Sequence, residues 1–79
     1  MGRLKLMKPT VAPGRYRHYK GQDYEVIGLV RHSETLEEMV LYKPLYKNKT
    51  ASLWVRPKDM FLESVEHEGG RVPRFQKID

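Results

Sequence analysis

Glycine and proline residues divide this chain into short apolar runs, and that division limits what it can fold into. The runs are rich in Val, Ile, Leu and Tyr, which favour strands, whereas Ala, the best helix former, is rare. The interruptions fall at Gly21, Gly28, Pro44, Pro57, Gly69, Gly70 and Pro73. The pattern predicts a mostly β protein made of short strands.

The first half of the chain predicts a hairpin followed by a third strand. Residues 15 to 19 and 23 to 30 are β runs around Lys20-Gly21-Gln22, and Gly28 permits a bend or bulge in the second run. Simple alternation puts Val26 and Val30 on one face of that run. Residues 38 to 43 predict the third strand. The alternative is a short helix over residues 36 to 42, which the capping-box spacing of Thr35 and Glu38 allows, and the β formers before Pro44 rank it second.

The second half predicts a polar turn, three more strands and one turn of helix. Residues 53 to 56 form a strand that ends at Pro57, and residues 58 to 61 form the helical turn. A strand over residues 62 to 66 reverses at Gly69-Gly70 into residues 71 to 75, where Pro73 indicates a sheet edge. This order predicts a small SH3-like barrel or roll of five or six short strands with one short helical turn.

The 79 residues suffice for one domain, which we place at residues 14 to 79 after a flexible basic arm at residues 1 to 13. The chain has no cysteine, so neither disulfides nor thiolate ligands stabilise it, and we expect a cytoplasmic location. No apolar run is long enough for a membrane span.

The net charge of +5 suggests nucleic acid, but its distribution weakens that interpretation. Residues 1 to 20 contain six bases and no acid, whereas residues 21 to 79 contain nine bases and ten acids. The predicted domain body therefore has no overall positive field to attract a phosphate backbone.

Blocks of sequence along the predicted domain resemble a known family. They are GRYRHYKG at 14 to 21, YEVIGLVRHSET at 24 to 35, LWVRP at 53 to 57, MFLE at 60 to 63 and VPRF at 72 to 75. In this order they resemble the small bacterial domain-of-unknown-function family 1653. The resemblance implies a compact SH3-type β roll, usually a stand-alone bacterial protein, with no assigned activity.

Two sets of residues are candidate ligand-binding sites. The first is the polar loop, defined as Arg31, His32, Ser33, Glu34 and Thr35. Ser, His and Glu are the residue types of a nucleophilic triad, but consecutive side chains diverge, which argues against one. Capping of backbone groups is the interpretation that this loop favours, and ligand contact ranks second.

The second set is Trp54 with Arg56, which share one face of the fourth predicted strand, together with Tyr16 and His18 of the first. If Leu53 and Val55 fill the interior, Trp54 and Arg56 form an exposed platform for a planar or anionic ligand. The opposite register, with Trp54 in the core, is equally consistent with the sequence.

No motif for a metal, a nucleotide cofactor or catalysis is present, so we predict no cofactor, no metal site and no catalytic residues. The leading hypothesis is a non-enzymatic binding module for a peptide, a nucleic acid or a small polar ligand. The alternatives are a small hydrolase or transferase that uses the polar loop, and an interaction domain that docks through its basic arm. The sequence identifies no membrane partner.

Overall fold

The computed structural model describes residues 10 to 47 and 52 to 79, which form short antiparallel strands and one helical turn. The elements are β1 (Gly14–His18), β2 (Asp23–Arg31), β3 (Glu38–Pro44), β4 (Trp54–Pro57), α1 (Lys58–Phe61), β5 (Ser64–His67), β6 (Gly70–Pro73) and β7 (Phe75–Lys77). The predicted mostly β fold class is confirmed. No helix among the described residues is long and apolar enough to cross a membrane.

The strands form two sheets that, in the described ranges, are not closed into a barrel. Five strands pair in the order β4-β3-β2-β1-β7, and β5 pairs with β6 as a separate hairpin. Arg74 joins the two sheets: its N–H donates to the Glu63 carbonyl at 2.9 Å, and its carbonyl accepts from the Tyr19 N–H at 2.9 Å. Residues 71 to 75, predicted as one strand, are therefore divided between the β5–β6 hairpin and β7.

A bulge in β2 decides which of its side chains reach the core. The register of β2 against β3 shifts between Val26 and Gly28, where the sequence allowed such a bend. Val26 is buried and Leu29 packs against the same core, whereas Ile27 and Val30 are exposed. The simple alternation that put Val26 and Val30 on one face is wrong, because the extra residue reverses the alternation after the bulge.

The third strand and the helical turn both form where the sequence predicted them. Residues 38 to 44 are β3 and not the alternative helix, and α1 begins directly after Pro57. Pro57 suits the start of a helix because its φ of −52° is already close to helical and its missing N–H would have had no helical partner. The turn places Phe61 in the core.

The core is a small group of buried side chains that is mainly aromatic. Its members are Val11, Tyr16, Val26, Val40, Tyr42, Phe61 and Phe75. The rings of Phe61 and Phe75 stack with centroids 4.1 Å apart, and Tyr16 and Tyr42 meet Phe61 edge to face. Val11 belongs to the segment predicted as an arm, and residues 1 to 9 of that segment lie outside the described residues.

Replacing Phe61 tests whether this ring stack holds the domain together. We expect Phe61→Ala to lower the free energy of unfolding by about 3 to 5 kcal/mol, because it removes a fully buried ring and leaves a cavity. The matched control is Met60→Ala, which truncates the exposed neighbour in the same helical turn and should cost under about 1 kcal/mol. Urea denaturation measures the free energy of unfolding of both variants. Equal losses in the two variants would contradict the central role of the Phe61 ring.

Candidate functional site

Side chains on the inner face of the five-stranded sheet enclose a pocket of about 220 Å³. We call it the aromatic pocket, and it is lined by Tyr24, Tyr42, Tyr46, Trp54 and Arg56. Strands β2, β3 and β4 supply all of these residues except Tyr46, which follows the end of β3.

Strand register explains why these side chains meet. Tyr42 lies opposite Trp54 in the β3–β4 pair, and Val40 lies opposite Arg56. Side chains opposite each other on neighbouring strands share a face, and so do residues two apart on one strand. Trp54 and Arg56 therefore face the core, while Leu53 and Val55 are 49% and 53% exposed. Of the two registers that the sequence allowed for β4, this is the one with Trp54 inward.

The tyrosine rings form two walls of the pocket. The ring of Tyr24 meets Tyr42 at 5.3 Å and Tyr46 at 5.5 Å, in both cases edge to face. The hydroxyls of Tyr24 and Tyr46 share a hydrogen bond of 3.1 Å. Burial raises the pKa of Tyr24, and the hydrogen bond to Tyr46 raises it further. This phenol therefore stays protonated at neutral pH and remains available as a neutral hydrogen-bonding group.

Arg56 brings a positive charge into the pocket lining. Its Nε donates to the Tyr42 hydroxyl at 3.2 Å, and its guanidinium lies 5.3 Å from the centre of the Phe75 ring. No carboxylate among residues 10 to 47 and 52 to 79 forms an ion pair with it. The charge of Arg56 is held by a hydrogen bond and a ring face, and it is not neutralised by a protein anion.

Trp54 contributes a donor that lacks a partner. The Nε1 atom is buried and has no hydrogen-bond acceptor within the described part of the chain. A buried donor without an acceptor costs about 1 to 3 kcal/mol, so native proteins rarely keep one without a reason.

These contacts decide which charge the aromatic pocket favours. Tyrosines and a tryptophan around a small space could hold an organic cation, with a gain of about 0.5 to 2 kcal/mol. A cation about 5 Å from the guanidinium would be repelled by about 3 kcal/mol at an effective dielectric of about 20. Because no carboxylate lines the pocket to offset that repulsion, its electrostatics favour an anion.

Tyr16 and His18, predicted as site residues, lie beside the aromatic pocket and not in its lining. Tyr16 is a core residue whose hydroxyl donates to the Ala12 carbonyl at 2.8 Å. The His18 ring contacts Phe75 at 4.9 Å and Tyr24 at 6.4 Å, and its Nδ1 accepts from the Lys20 N–H at 3.1 Å. His18 therefore supports the Tyr24 wall of the pocket through its ring contact, whereas Tyr16 packs on Phe61 in the core.

His18 also borders a second cavity of about 440 Å³, where β1 and β7 approach the β5–β6 hairpin. The other lining residues are Arg17, Tyr19, Gly21, His67, Val72, Pro73, Gln76 and Ile78. Arg17 is paired there with Asp23 at 2.7 Å, and Tyr19 with the His67 ring at 5.2 Å. The charge and the rings in this cavity already have protein partners.

The polar loop is the exposed turn between β2 and β3, and its hydrogen bonds are local. Arg31 donates to the Leu36 carbonyl at 2.9 Å, and His32 Nδ1 accepts from the Glu34 N–H at 3.0 Å. Thr35 Oγ1 accepts from the Glu37 N–H at 3.2 Å. Ser33 and Glu34 are exposed in the same turn. These bonds are the capping of backbone groups that the sequence favoured.

The polar loop and the aromatic pocket lie at opposite ends of the β2–β3 hairpin. The loop follows the Arg31–Glu38 pair, whereas Tyr24 pairs with Pro44 at the other end. Six residues of β2 lie between the two pairs, so the pairs are roughly 20 Å apart at the rise of a strand. The structure therefore brings Trp54 and Arg56 together with three tyrosines and does not bring residues 31 to 35 to them.

Tyr24, Tyr42 and Tyr46 were not predicted as pocket residues, because no local pattern in the sequence shows which tyrosines meet in space. The pairing of β2 with β3 and of β3 with β4 is what selects these three. Among the described residues, no group of three or more His, Asp or Glu side chains is placed to hold a metal ion.

Fold and site together define a small, mostly β domain with an aromatic pocket on one sheet face. The family model described as a protein of unknown function, DUF1653, matches residues 14 to 77, so the chain belongs to this family. A crystal structure of a protein of the same family from Bordetella bronchiseptica is similar, with 38% sequence identity and a TM-score of 0.83. The similarity covers 86% of this chain and 87% of that one. No curated protein matches the chain.

The environment of His18 predicts a pH dependence of stability. Burial lowers the pKa of His18, and the positive charges of Arg56, Lys20 and Arg74 act in the same direction. The unfolded chain, with a His pKa of about 6.5, then binds the proton more readily than the folded protein. The free energy of unfolding should therefore fall as the pH drops through and below about 6.5. Protonation of His18 also removes the Nδ1 acceptor of the Lys20 N–H.

Urea denaturation between about pH 8 and about pH 5 measures this effect, in a window above the range where most carboxylates titrate. The control is His18→Gln, which should lower stability at every pH through lost ring contacts but should show a shallower loss on acidification. An equal slope in the two proteins would contradict the role of His18.

Proposed function

We propose that this protein is a non-enzymatic binding module and that the aromatic pocket is where it receives its ligand. The observation that carries the proposal is the convergence on one small space of three tyrosines, the tryptophan and an arginine that forms no ion pair within the described ranges. Such a space offers ring faces for contact and N–H and O–H groups for orientation, the combination that ligand pockets generally use.

The size of the aromatic pocket supports a small occupant. Pockets for drug-sized ligands span about 300 to 1,000 Å³, and this one has about 220 Å³. One ring with its substituents fits that space. The occupant is then a small polar molecule, or a single side chain or base of a larger partner.

The lining also supports binding over catalysis. A general base or nucleophile is usually a His, Asp, Glu, Ser, Cys or Lys, and none of these lines the aromatic pocket in the part of the chain that the structure describes. Burial and the bond to Tyr46 raise the pKa of the Tyr24 phenol, which disfavours its use as a base. At the polar loop, where we considered a hydrolase or transferase, His32 Nδ1 already accepts backbone N–H groups.

We also propose bounds for the domain, a role for the segment before it and a cellular location. We place the module at residues 14 to 79, with an SH3-like roll as its architecture and residues 1 to 13 as a basic arm. Docking of that arm on RNA or an acidic partner would add steeply salt-dependent affinity to the pocket. The absence of cysteine supports a cytoplasmic location, where disulfides are rare.

Trp54 makes the proposal directly testable, since it is the single tryptophan of the chain. We expect ring-sized polar compounds from a fragment library to change its fluorescence in a saturable way. Tyr46→Ala removes one wall at the partly exposed rim and should weaken binding about tenfold, in line with the value of one aromatic contact.

The matched control is Tyr19→Ala, which removes a tyrosine from the second cavity and should leave the affinity within about twofold, since the two sites do not share that residue. Equal losses in both variants, or the absence of any saturable change, would argue against the aromatic pocket as the binding site.

A further inference from the structure

We infer that the ligand of the aromatic pocket is a planar ring that carries an anionic oxygen group, either a carboxylate or a phosphate. This inference rests on the proposed binding function and specifies its chemistry. It follows from the donors in the pocket, from its charge and from the arrangement of its rings.

Donors without protein acceptors are the first observation. Arg56 uses Nε on the Tyr42 hydroxyl, and no carboxylate in the described ranges forms an ion pair with its guanidinium. Trp54 Nε1 is buried without an acceptor in the same ranges. A guanidinium presents paired N–H groups that match the two oxygens of a carboxylate or phosphate. The remaining N–H groups of Arg56 are therefore open to an oxyanion.

The sign of the charge is the second observation, and it separates this ligand from an organic cation. Among residues 10 to 47 and 52 to 79, the lining contains one cation and no anion. Burial is the main cause that lowers the pKa of the nearby His18, and the positive charge of Arg56 lowers it further. An aromatic cage for an ammonium group would need either no arginine or a carboxylate to neutralise it.

The ring arrangement is the third observation. Tyr42 and Tyr46 both stand nearly perpendicular to Tyr24, at 73° and 87°. These rings line the aromatic pocket together with Trp54. Aromatic groups prefer edge-to-face and offset-stacked contacts, and a flat ligand in this space can make such contacts with rings held at different angles.

A series of compounds with one ring and different charges tests the inference. The probes are benzoate, phenyl phosphate, neutral benzamide and the cation phenyltrimethylammonium, each titrated into the full chain. Trp54 fluorescence and two-dimensional amide NMR are the readouts. We expect benzoate or phenyl phosphate to bind at least about tenfold more tightly than benzamide, as a charge-assisted hydrogen bond provides. The cation should bind weakest.

The two anions distinguish the source of the oxyanion. Preference for benzoate indicates an aromatic carboxylate as the natural ligand class, and preference for phenyl phosphate indicates an aryl or nucleoside phosphate. Equal affinity for benzoate and phenyl phosphate indicates that the pocket recognises the ring and the oxyanion in either form. Inorganic phosphate and acetate, which lack the ring, should bind at least about tenfold more weakly than the corresponding ring compounds, because they lose the aromatic contacts.

Variants at Arg56 separate charge from packing. Arg56→Gln should weaken the anions at least about tenfold and benzamide by less than about twofold, because only the anions depend on the guanidinium. Arg56→Lys keeps the charge without the paired N–H groups and should retain part of the affinity. Arg31→Gln, a matched change in the polar loop about 20 Å away along the strands, should change nothing. Circular dichroism checks that each variant is folded.

The outcomes distinguish failure of this inference from failure of the proposed function. If benzamide or the cation binds as tightly as the anions, or if Arg56→Gln and Arg56→Lys both leave anion affinity unchanged, the inference is wrong and the pocket remains a binding site. If none of the compounds, the fragment library included, perturbs Trp54 or the neighbouring amides, both proposals are wrong.

Discussion

The stacked rings of Phe61 and Phe75 are the contact on which the other features of this domain depend. Phe61 comes from the helical turn after β4, and Phe75 begins the last strand of the large sheet. Their rings are parallel within 2°, and Tyr42 packs its edge against both. A chain of this size buries a limited apolar area, so a few large rings must supply much of the stabilisation. The stack joins elements that are distant along the chain.

The same stack positions the aromatic pocket. The Phe75 ring supports the guanidinium of Arg56 and also contacts His18 and Tyr24. Tyr42 takes part in both structures, since its ring contacts the stack and its hydroxyl accepts from Arg56. Folding and the proposed binding are thus coupled: the core holds the pocket residues in place, and a loosened stack would move Arg56 and the tyrosine walls together.

Local patterns allowed the elements, but not their contacts, to be predicted from the sequence. The helical turn at Lys58–Phe61 follows from Pro57, and β3 follows from its β-forming residues before Pro44. The sequence also placed Trp54 and Arg56 on one face of a strand, which the structure shows. It could not choose between inward and outward, because a shift of one residue exchanges the two faces and only the pairing with β3 decides. Tyr24, Tyr42 and Tyr46 were missed as pocket residues for the same reason.

The polar loop was prominent in the sequence because five chemically active side chains are adjacent there, yet adjacency along a chain is poor evidence for a site. In the structure these residues satisfy each other's backbone groups in an exposed turn. The aromatic pocket shows the opposite arrangement, since its residues come from separate strands. Within the described ranges, the Trp54 N–H is buried without an acceptor and Arg56 forms no ion pair. The buried N–H costs stability, and a small domain has little stability to lose. A cost that packing alone does not require is most simply explained by a ligand that removes it, and this is why we place the function at the pocket.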